Sequence, residues 1–235
     1  MPPLIKAKHI VEFRYPAASI FHDKRGIVCS SFQEEPFVHW QIGPVRVDLH
    51  SEDKRYSAFV TSKNAGLTIE LAESNGEFLR HLRRYSRLIH GQLNLTSLTR
   101  IGMRMLLLIP QDSFESAASI FMETIYSPVS EQISQLGDAN DYSCMWNLTI
   151  GEREAHFQIG PMEVKQLREN FIQGDIDEEQ LPESFIFVDF DIYAENPNFS
   201  IRTDRFITQF AESSLEDIVS RTRGFLESFE MEIGE

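Results

Sequence analysis

The clearest strand in the sequence is Phe185-Ile-Phe-Val-Asp-Phe-Asp-Ile-Tyr193. Successive side chains of a β-strand point to opposite faces, so alternate residues share a face. One face runs from Ile186 to Ile192 and is apolar, whereas the other carries Asp189 and Asp191. The pattern predicts a strand that packs one face on a core and presents two carboxylates on the other.

A second strand, Arg100-Ile-Gly-Met-Arg-Met-Leu-Leu-Leu-Ile109, precedes Pro110 and places Arg100 and Arg104 on one face. Paired carboxylates can hold a divalent cation, act as acid and base, or neutralise arginines. If the two strands are neighbours, a lattice of Arg and Asp side chains follows. We favour structural ion pairs over an anion or polar-ligand site. A metal is least favoured, because no His-x-x-x-His, Cys-x-x-Cys or Glu-x-x-His spacing is present. We predict no metal and no cofactor.

Four features occur twice in the same order, which predicts an internal duplication. A strand is followed by Pro16 and again by Pro110, and the pentapeptide AASIF occurs at 17–21 and 117–121. The hexapeptides HWQIGP and HFQIGP begin at residues 39 and 156. An S-x-x-E pattern, typical of a helix N-terminal capping box, occurs at 74–77 and 213–216.

The predicted fold is therefore α+β, built from two duplicated β-α-β(3–4)-α units whose antiparallel sheets are covered by helices. We place the first unit at residues 1–96 and the second at 97–235, with an insertion near 165–184, in one compact two-lobed chain. This order of elements resembles helix-grip and TATA-binding-protein-like topologies, and an analogy of topology carries no function.

The repeated QIGP has a structural and a functional interpretation. Gly permits unusual backbone angles and Pro blocks ladder bonding, so the motif is typical of a strand end. The functional alternative is a pair of equivalent half-sites, with His39, Gln41, His156 and Gln158 lining one groove. We favour the structural interpretation.

The net charge of −14 is uneven, because Lys and Arg outnumber Asp and Glu only in residues 1–110. An acidic chain is a poor general binder of nucleic acid, so we do not expect a nucleic-acid partner. Two cysteines and no signal peptide predict a cytoplasmic protein, and no apolar run is long enough to cross a membrane.

The segment 80–90 carries four arginines on one side of a predicted amphipathic helix. Like charges at this spacing repel each other, so something must offset them. The acidic second half of the chain is the simplest candidate, and a phosphate-bearing or acidic partner is the alternative. The candidate partner-binding residues are Arg80, Arg83, Arg84 and Arg87.

Three stretches resemble a prokaryotic family known as sporadically distributed proteins, whose members have about this length. They are Ile10-Val-Glu-Phe-Arg-Tyr-Pro16, Arg100-Ile-Gly-Met-Arg-Met, and Val188-Asp-Phe-Asp-Ile-Tyr193 before a final helix. Met105-Leu-Leu-Leu replaces the family's Tyr-Ile-Asn portion, so a polar role there is absent. The family has no established activity, and its distribution implies a mobile-element or defence setting.

These observations favour a non-enzymatic binding protein that acts through a protein partner or a small polar ligand, as an accessory or antitoxin-like component. The alternative is an enzyme acting on a phosphorylated or nucleotide-like substrate, with Asp189 and Asp191 facing Arg100 and Arg104. A third interpretation is a structural module that forms a homodimer. No G-x-S-x-G nucleophile motif or Gly-rich phosphate loop supports an enzyme.

Overall fold

The computed structural model describes residues 4–32, 36–127, 135 and 142–228. Within these residues the chain forms one antiparallel sheet of nine strands, five α-helices and a short 3-10 turn. The strands are β1 (Ile5–Arg14), β2 (His39–Ile42), β3 (Arg46–His50), β4 (Tyr56–Thr61), β5 (Asn64–Glu70), β6 (Arg100–Gln111), β7 (Cys144–Ile150), β8 (Arg153–Glu163) and β9 (Ser184–Glu195). The helices are α1 (Ile20–Ser30), α2 (Asn75–Leu93), α3 (Phe114–Thr124), α4 (Val164–Asn170) and α5 (Thr203–Glu227), and the 3-10 turn is Glu178–Gln180.

The strands are ordered β2-β3-β4-β5-β1-β6-β9-β8-β7 across the sheet. The two central strands, β1 and β6, pair antiparallel from Ile5↔Leu108 to Arg14↔Arg100. The predicted α+β class with antiparallel strands is confirmed. The strands form one continuous sheet that crosses the predicted boundary between residues 96 and 97, rather than one sheet for each unit.

One face of the sheet is covered by α1, α2, α3 and α5, and the larger hydrophobic core lies between them. The apolar face predicted for β9 is confirmed, because Val188 and Ile192 are fully buried in this core. Strand β1 alternates in the same way, with Val11 and Phe13 fully buried in the core. Full burial of a large apolar side chain contributes about 1.5–3 kcal/mol, so this layer dominates the stability of the fold.

Among the described residues, the opposite face is covered at one end, by the segment that begins with α4. There Leu167 and Ile176 pack on Leu106 and Phe187 in a second, smaller cluster. Strand β6 is therefore buried on both faces at this end, which explains why residues 105–109 are continuously apolar. The polar stretch predicted as an insertion near 165–184 forms this cover.

Glu70 of β5 fastens the cover to the sheet. Its carboxylate lies 2.9 Å from Nζ of Lys8 and accepts hydrogen bonds from the backbone N–H groups of Gln173 and Gly174 at 3.0 and 2.8 Å. The carboxylate is almost completely buried, so these donors replace the water that it loses on folding.

Local signals predicted some boundaries correctly and others incorrectly. Ser74 accepts a hydrogen bond from Glu77 N–H at 3.1 Å and caps α2, as predicted. The prediction of a second capping box is wrong, because Ser213 lies in the middle of α5, which begins at Thr203. Glycine commonly ends a helix, but α2 passes Gly91 and continues to Leu93 before the left-handed Asn94.

Pro110 does not end its strand either. Strand β6 continues to Gln111, and among the described residues Pro110 is paired only with Phe185 of β9, because β1 begins at Ile5, opposite Leu108. Proline cannot donate a ladder hydrogen bond, and this position requires none on the β1 side.

Candidate functional site

The uncovered part of the sheet carries a row of mostly polar side chains on β1, β6, β9 and β8. Alternation and the strand register place Ile10, Arg104, Asp191 and His156 side by side across these strands. We call this surface the open sheet face. It bears six of the eight ligand-binding residues that the sequence predicted.

Arg104 and Asp189 form a two-pronged ion pair on the open sheet face. Nε and Nη2 of Arg104 lie 2.7 and 2.5 Å from the two carboxylate oxygens of Asp189. The hydrogen bond to Asp189 is the main cause that raises the pKa of Arg104. Asp189 is buried whereas Arg104 is half-exposed, so the arginine neutralises a carboxylate that would otherwise lie unpaired below the surface.

Asp191 lies directly opposite Arg104 in the pairing of β6 with β9. Burial raises the pKa of its carboxyl, and the nearby guanidinium groups of Arg100 and Arg104 oppose that shift. Asp191 borders a cavity of about 180 Å³ on the open sheet face. The cavity is lined by Ile10, Glu12, Arg14, Arg100, Gly102, Arg104 and Asp191.

The other two arginines of this cavity also contact acidic side chains. Arg100 lies over the ring of Tyr193 at 4.2 Å and is 3.5 Å from Glu195. Nε of Arg14 lies 3.0 Å from Glu12. The cavity thus presents both signs of charge at close range, which suits a ligand with its own donors and acceptors rather than a simple anion.

The structure does not bring the two QIGP motifs together. His156 and Gln158 lie on β8 opposite Asp191 and Asp189, at the border of the open sheet face. His39 and Gln41 lie on the edge strand β2, which is roughly 30 Å away at a strand spacing of about 4.8 Å. The prediction of equivalent half-sites in one groove is therefore wrong.

The two motifs also differ in local structure. In the first, Gly43 begins the turn to β3 and donates a hydrogen bond to Arg46 O at 2.8 Å. In the second, Gly160 and Pro161 continue β8, and a Cβ at Gly160 would lie 2.4 Å from the carbonyl oxygen of Tyr142. The second glycine therefore permits a close backbone approach instead of making a turn.

The motif histidines are held by different partners. His39 stacks on His50 with ring centroids 5.1 Å apart and lies 2.5 Å from Glu52. Nδ1 of His156 lies 3.1 Å from the side-chain oxygen of Asn147. Neither contact resembles the other, which is consistent with unrelated local roles.

The arginines of α2 are all exposed, but they do not form one surface. Arg83 and Arg87 face the first turns of α5 across a cleft of about 560 Å³. Arg80 borders a different cleft, near Tyr56 and His81.

Sequence reasoning missed that second cleft altogether. Tyr56 donates a short hydrogen bond to Glu77, and burial is the main cause that raises the pKa of Tyr56 to about 12. His81 packs edge-on against Tyr56, with burial as the main cause that lowers its pKa. Tyr56 shares a strand face with the buried Ala58 and Val60, but no local sequence pattern indicates its contact with Glu77 of α2.

Comparison with known proteins adds no identity. No family model matches the sequence, and no curated protein is significantly similar to it. Among the described residues, no cluster of three or more His, Cys, Asp or Glu side chains could hold a metal ion. None of the described helices is long and apolar enough to cross a membrane.

Proposed function

We propose that this chain is a non-enzymatic binding protein that takes a small polar ligand, or a polar segment of a protein partner, on the open sheet face. The cavity bordered by Arg14, Arg100 and Asp191 supports this proposal most directly. It is a depression on a sheet face that the helices leave uncovered, and its charged groups are fixed on neighbouring strands.

Rigid strands favour binding because the charged groups need little further ordering when a ligand arrives. The two hydrogen bonds to Asp189 fix Arg104 in the cavity, while Arg14 and Arg100 at its rim lie 3.0 and 3.5 Å from carboxylates that are themselves partly exposed. A ligand that exchanges hydrogen bonds with the rim therefore need not break the buried pair.

Native mass spectrometry of the protein purified gently from its host tests the proposal. We expect a molecule of defined mass to accompany the wild type and to be lost from the double variant Arg14→Gln/Arg100→Gln. Arg221→Gln is the control, because Arg221 lies on α5 on the helical side. A bare wild-type chain, or a species that the double variant retains, contradicts the proposal.

The alternative is an enzyme acting on a phosphorylated or nucleotide-like substrate. It is favoured by one observation, which is that burial raises the pKa of Asp191 beside Arg100 and Arg104. In this proposal the Asp191 carboxyl exchanges the proton and the two guanidinium groups hold the anion. Both oxygens of Asp189 are already occupied by Arg104, so Asp189 positions that arginine.

Turnover of p-nitrophenyl phosphate distinguishes the enzyme from the binding protein. The enzyme requires activity in the wild type that Asp191→Asn abolishes and Arg221→Gln retains. Absence of turnover in the wild type removes this probe substrate from the proposal.

A mass that doubles with protein concentration, without any ligand, instead favours the homodimerising module.

We also propose that the chain arose by duplication, with a helix-grip-like arrangement in each unit. Central strands β1 and β6 are each followed by a helix, and the AASIF phenylalanines Phe21 and Phe121 are both buried side chains of those helices. The unequal QIGP positions count against this proposal. Membership of the sporadically distributed family, a cytoplasmic location and an antitoxin-like role are likewise proposals that rest on sequence.

A further inference from the structure

The cleft between α2 and α5 collects four exposed arginines in a chain of net charge −14. It is lined by Arg83, Arg87, Arg202, Asp204, Arg205, Thr208, Gln209 and Glu212. Its volume of about 560 Å³ falls in the range of sites for small molecules. We call it the arginine cleft, and it lies on the helical side of the molecule, away from the open sheet face.

Two of the arginines repel each other along α2. Arg83 and Arg87 are four residues apart, so they lie on successive turns of one helix face. Neither forms an ion pair with any residue that the structure describes. The predicted offset by acidic residues is therefore incomplete here.

The other two arginines lie where a helix favours negative charge. Helix α5 begins at Thr203, so Arg202 is its N-cap residue and Arg205 is in its first turn. A helix N-terminus carries a partial positive charge, so a cation there is unfavourable. Arg202 supplies no side-chain cap to α5.

The acidic residues of the cleft only partly offset the positive charge of its four arginines. Nε and Nη2 of Arg202 hold both oxygens of the buried Asp204 at 3.0 and 3.1 Å. Glu212 is the second carboxylate in the lining. Four arginines against two carboxylates leave an excess of positive charge, and Arg205 has no ion-pair partner among the described residues.

We propose that the arginine cleft binds a small molecule with clustered negative charge, of the phosphate or diphosphate class. Guanidinium groups bind phosphate oxygens through paired charge-assisted hydrogen bonds, and the N-terminus of α5 adds to the same field. A bound anion offsets both the repulsion on α2 and the cations at the start of α5. The proposal is independent of the ligand of the open sheet face.

Calorimetric titration with inorganic diphosphate, at constant ionic strength, tests the proposal. We expect saturable binding to the wild type that weakens about tenfold or more in Arg83→Gln/Arg87→Gln, because charge-assisted hydrogen bonds are lost. Arg221→Gln is the matched control, since Arg221 is an exposed arginine of α5 that is paired with Asp217 outside the cleft.

A second variant keeps the test decisive if the double variant folds poorly. Without ligand, Arg205→Gln should raise the melting temperature by about 1–2 °C, because a cation leaves the helix N-terminus. The same variant should bind diphosphate more weakly than the wild type. Gain of stability together with loss of binding is not expected of an arginine that serves only the fold.

Three results overturn the proposal. Diphosphate binding no stronger than that of chloride shows an adventitious ion only. Binding retained by the α2 double variant but lost from Arg14→Gln/Arg100→Gln assigns the anion to the open sheet face. Binding of a polyglutamate peptide without any binding of diphosphate identifies a protein-docking surface instead.

Discussion

His9 should make the protein lose stability in mild acid. The side chain is fully buried, stacks on Phe78 with centroids 5.1 Å apart, and has Nε2 3.2 Å from the side-chain oxygen of Asn75. Its Nδ1 has no hydrogen-bond partner among the described residues. Burial is the main cause that lowers the pKa of His9 to about 4, with Lys6 acting in the same direction.

The direction of the effect follows from the proton count. Since the folded pKa lies below the ordinary value of 6.5, the unfolded chain binds the proton more tightly. The stability that comes from burying His9 in its neutral form is fully present above pH 6.5 and is lost as the pH falls from 6.5 to about 4. Between about pH 7.5 and about pH 5 the loss amounts to about 2 kcal/mol, and it reaches about 3 kcal/mol in stronger acid.

Urea unfolding at several pH values, for the wild type and for His9→Gln, measures this term. Glutamine can still donate to Asn75, but it loses ring packing, so it should cost about 1–2 kcal/mol at about pH 7.5. At about pH 5 the difference should shrink to nearly zero or reverse. The lowered pKa of Glu77 also weakens the fold in acid, and the comparison cancels its contribution.

An exposed histidine supplies the control. His22 lies on the surface of α1, so His22→Gln should leave the pH dependence unchanged. Parallel stability curves for the wild type and His9→Gln from about pH 7.5 to about pH 5 would refute the argument from burial.

Three further predictions about the fold can be tested by urea unfolding. Asp189→Leu should lower the free energy of unfolding by about 2–4 kcal/mol, because Arg104 is left without its partner. Adding Arg104→Met should recover part of this loss, because the unpaired charge is then removed. Additive losses from the two substitutions would contradict the ion pair. Gly160→Ala should lower the free energy of unfolding by about 1–3 kcal/mol, because the added Cβ meets the backbone of a neighbouring segment. Gly91→Ala, at an open position in α2, should raise the free energy of unfolding by about 0.5–1 kcal/mol. Equal effects of the two substitutions would contradict the close backbone approach at Gly160. Ser74→Ala should cost about 1 kcal/mol as a lost helix cap, and no change contradicts that cap.

Much of the secondary structure was predictable because period-two alternation is a direct consequence of burying one sheet face. Strand β1 follows it closely, but burial in β9 alternates only from Phe190 onward, because its first half is covered on both faces. The core position Ile192 was assigned correctly. Element ends were less predictable, because Pro110 and Ser213 carry local signals whose effect depends on neighbours distant in sequence. A proline is tolerated wherever the adjacent strand has already ended.

The site was predictable only in part, because contacts between strands depend on sheet order. Alternation placed Arg104 and Asp189 on sheet faces, but their contact joins residues 85 positions apart. His156 reached Asp191 through the register of β8 with β9. The arginine cleft depends on how α2 crosses α5, which no local pattern encodes.

The two charged sites should respond differently to mutation because their arginines differ in pairing. On the open sheet face, Arg14, Arg100 and Arg104 each contact an acidic side chain of the sheet. In the arginine cleft, Arg83 and Arg87 form no ion pair with a described residue. Removing a paired arginine leaves its carboxylate without a partner and lowers stability, most of all at the buried Asp189. Removing an unpaired arginine relieves repulsion, so it should weaken anion binding without lowering stability. Stability and anion binding measured on the same variants therefore separate a structural lattice from a ligand site.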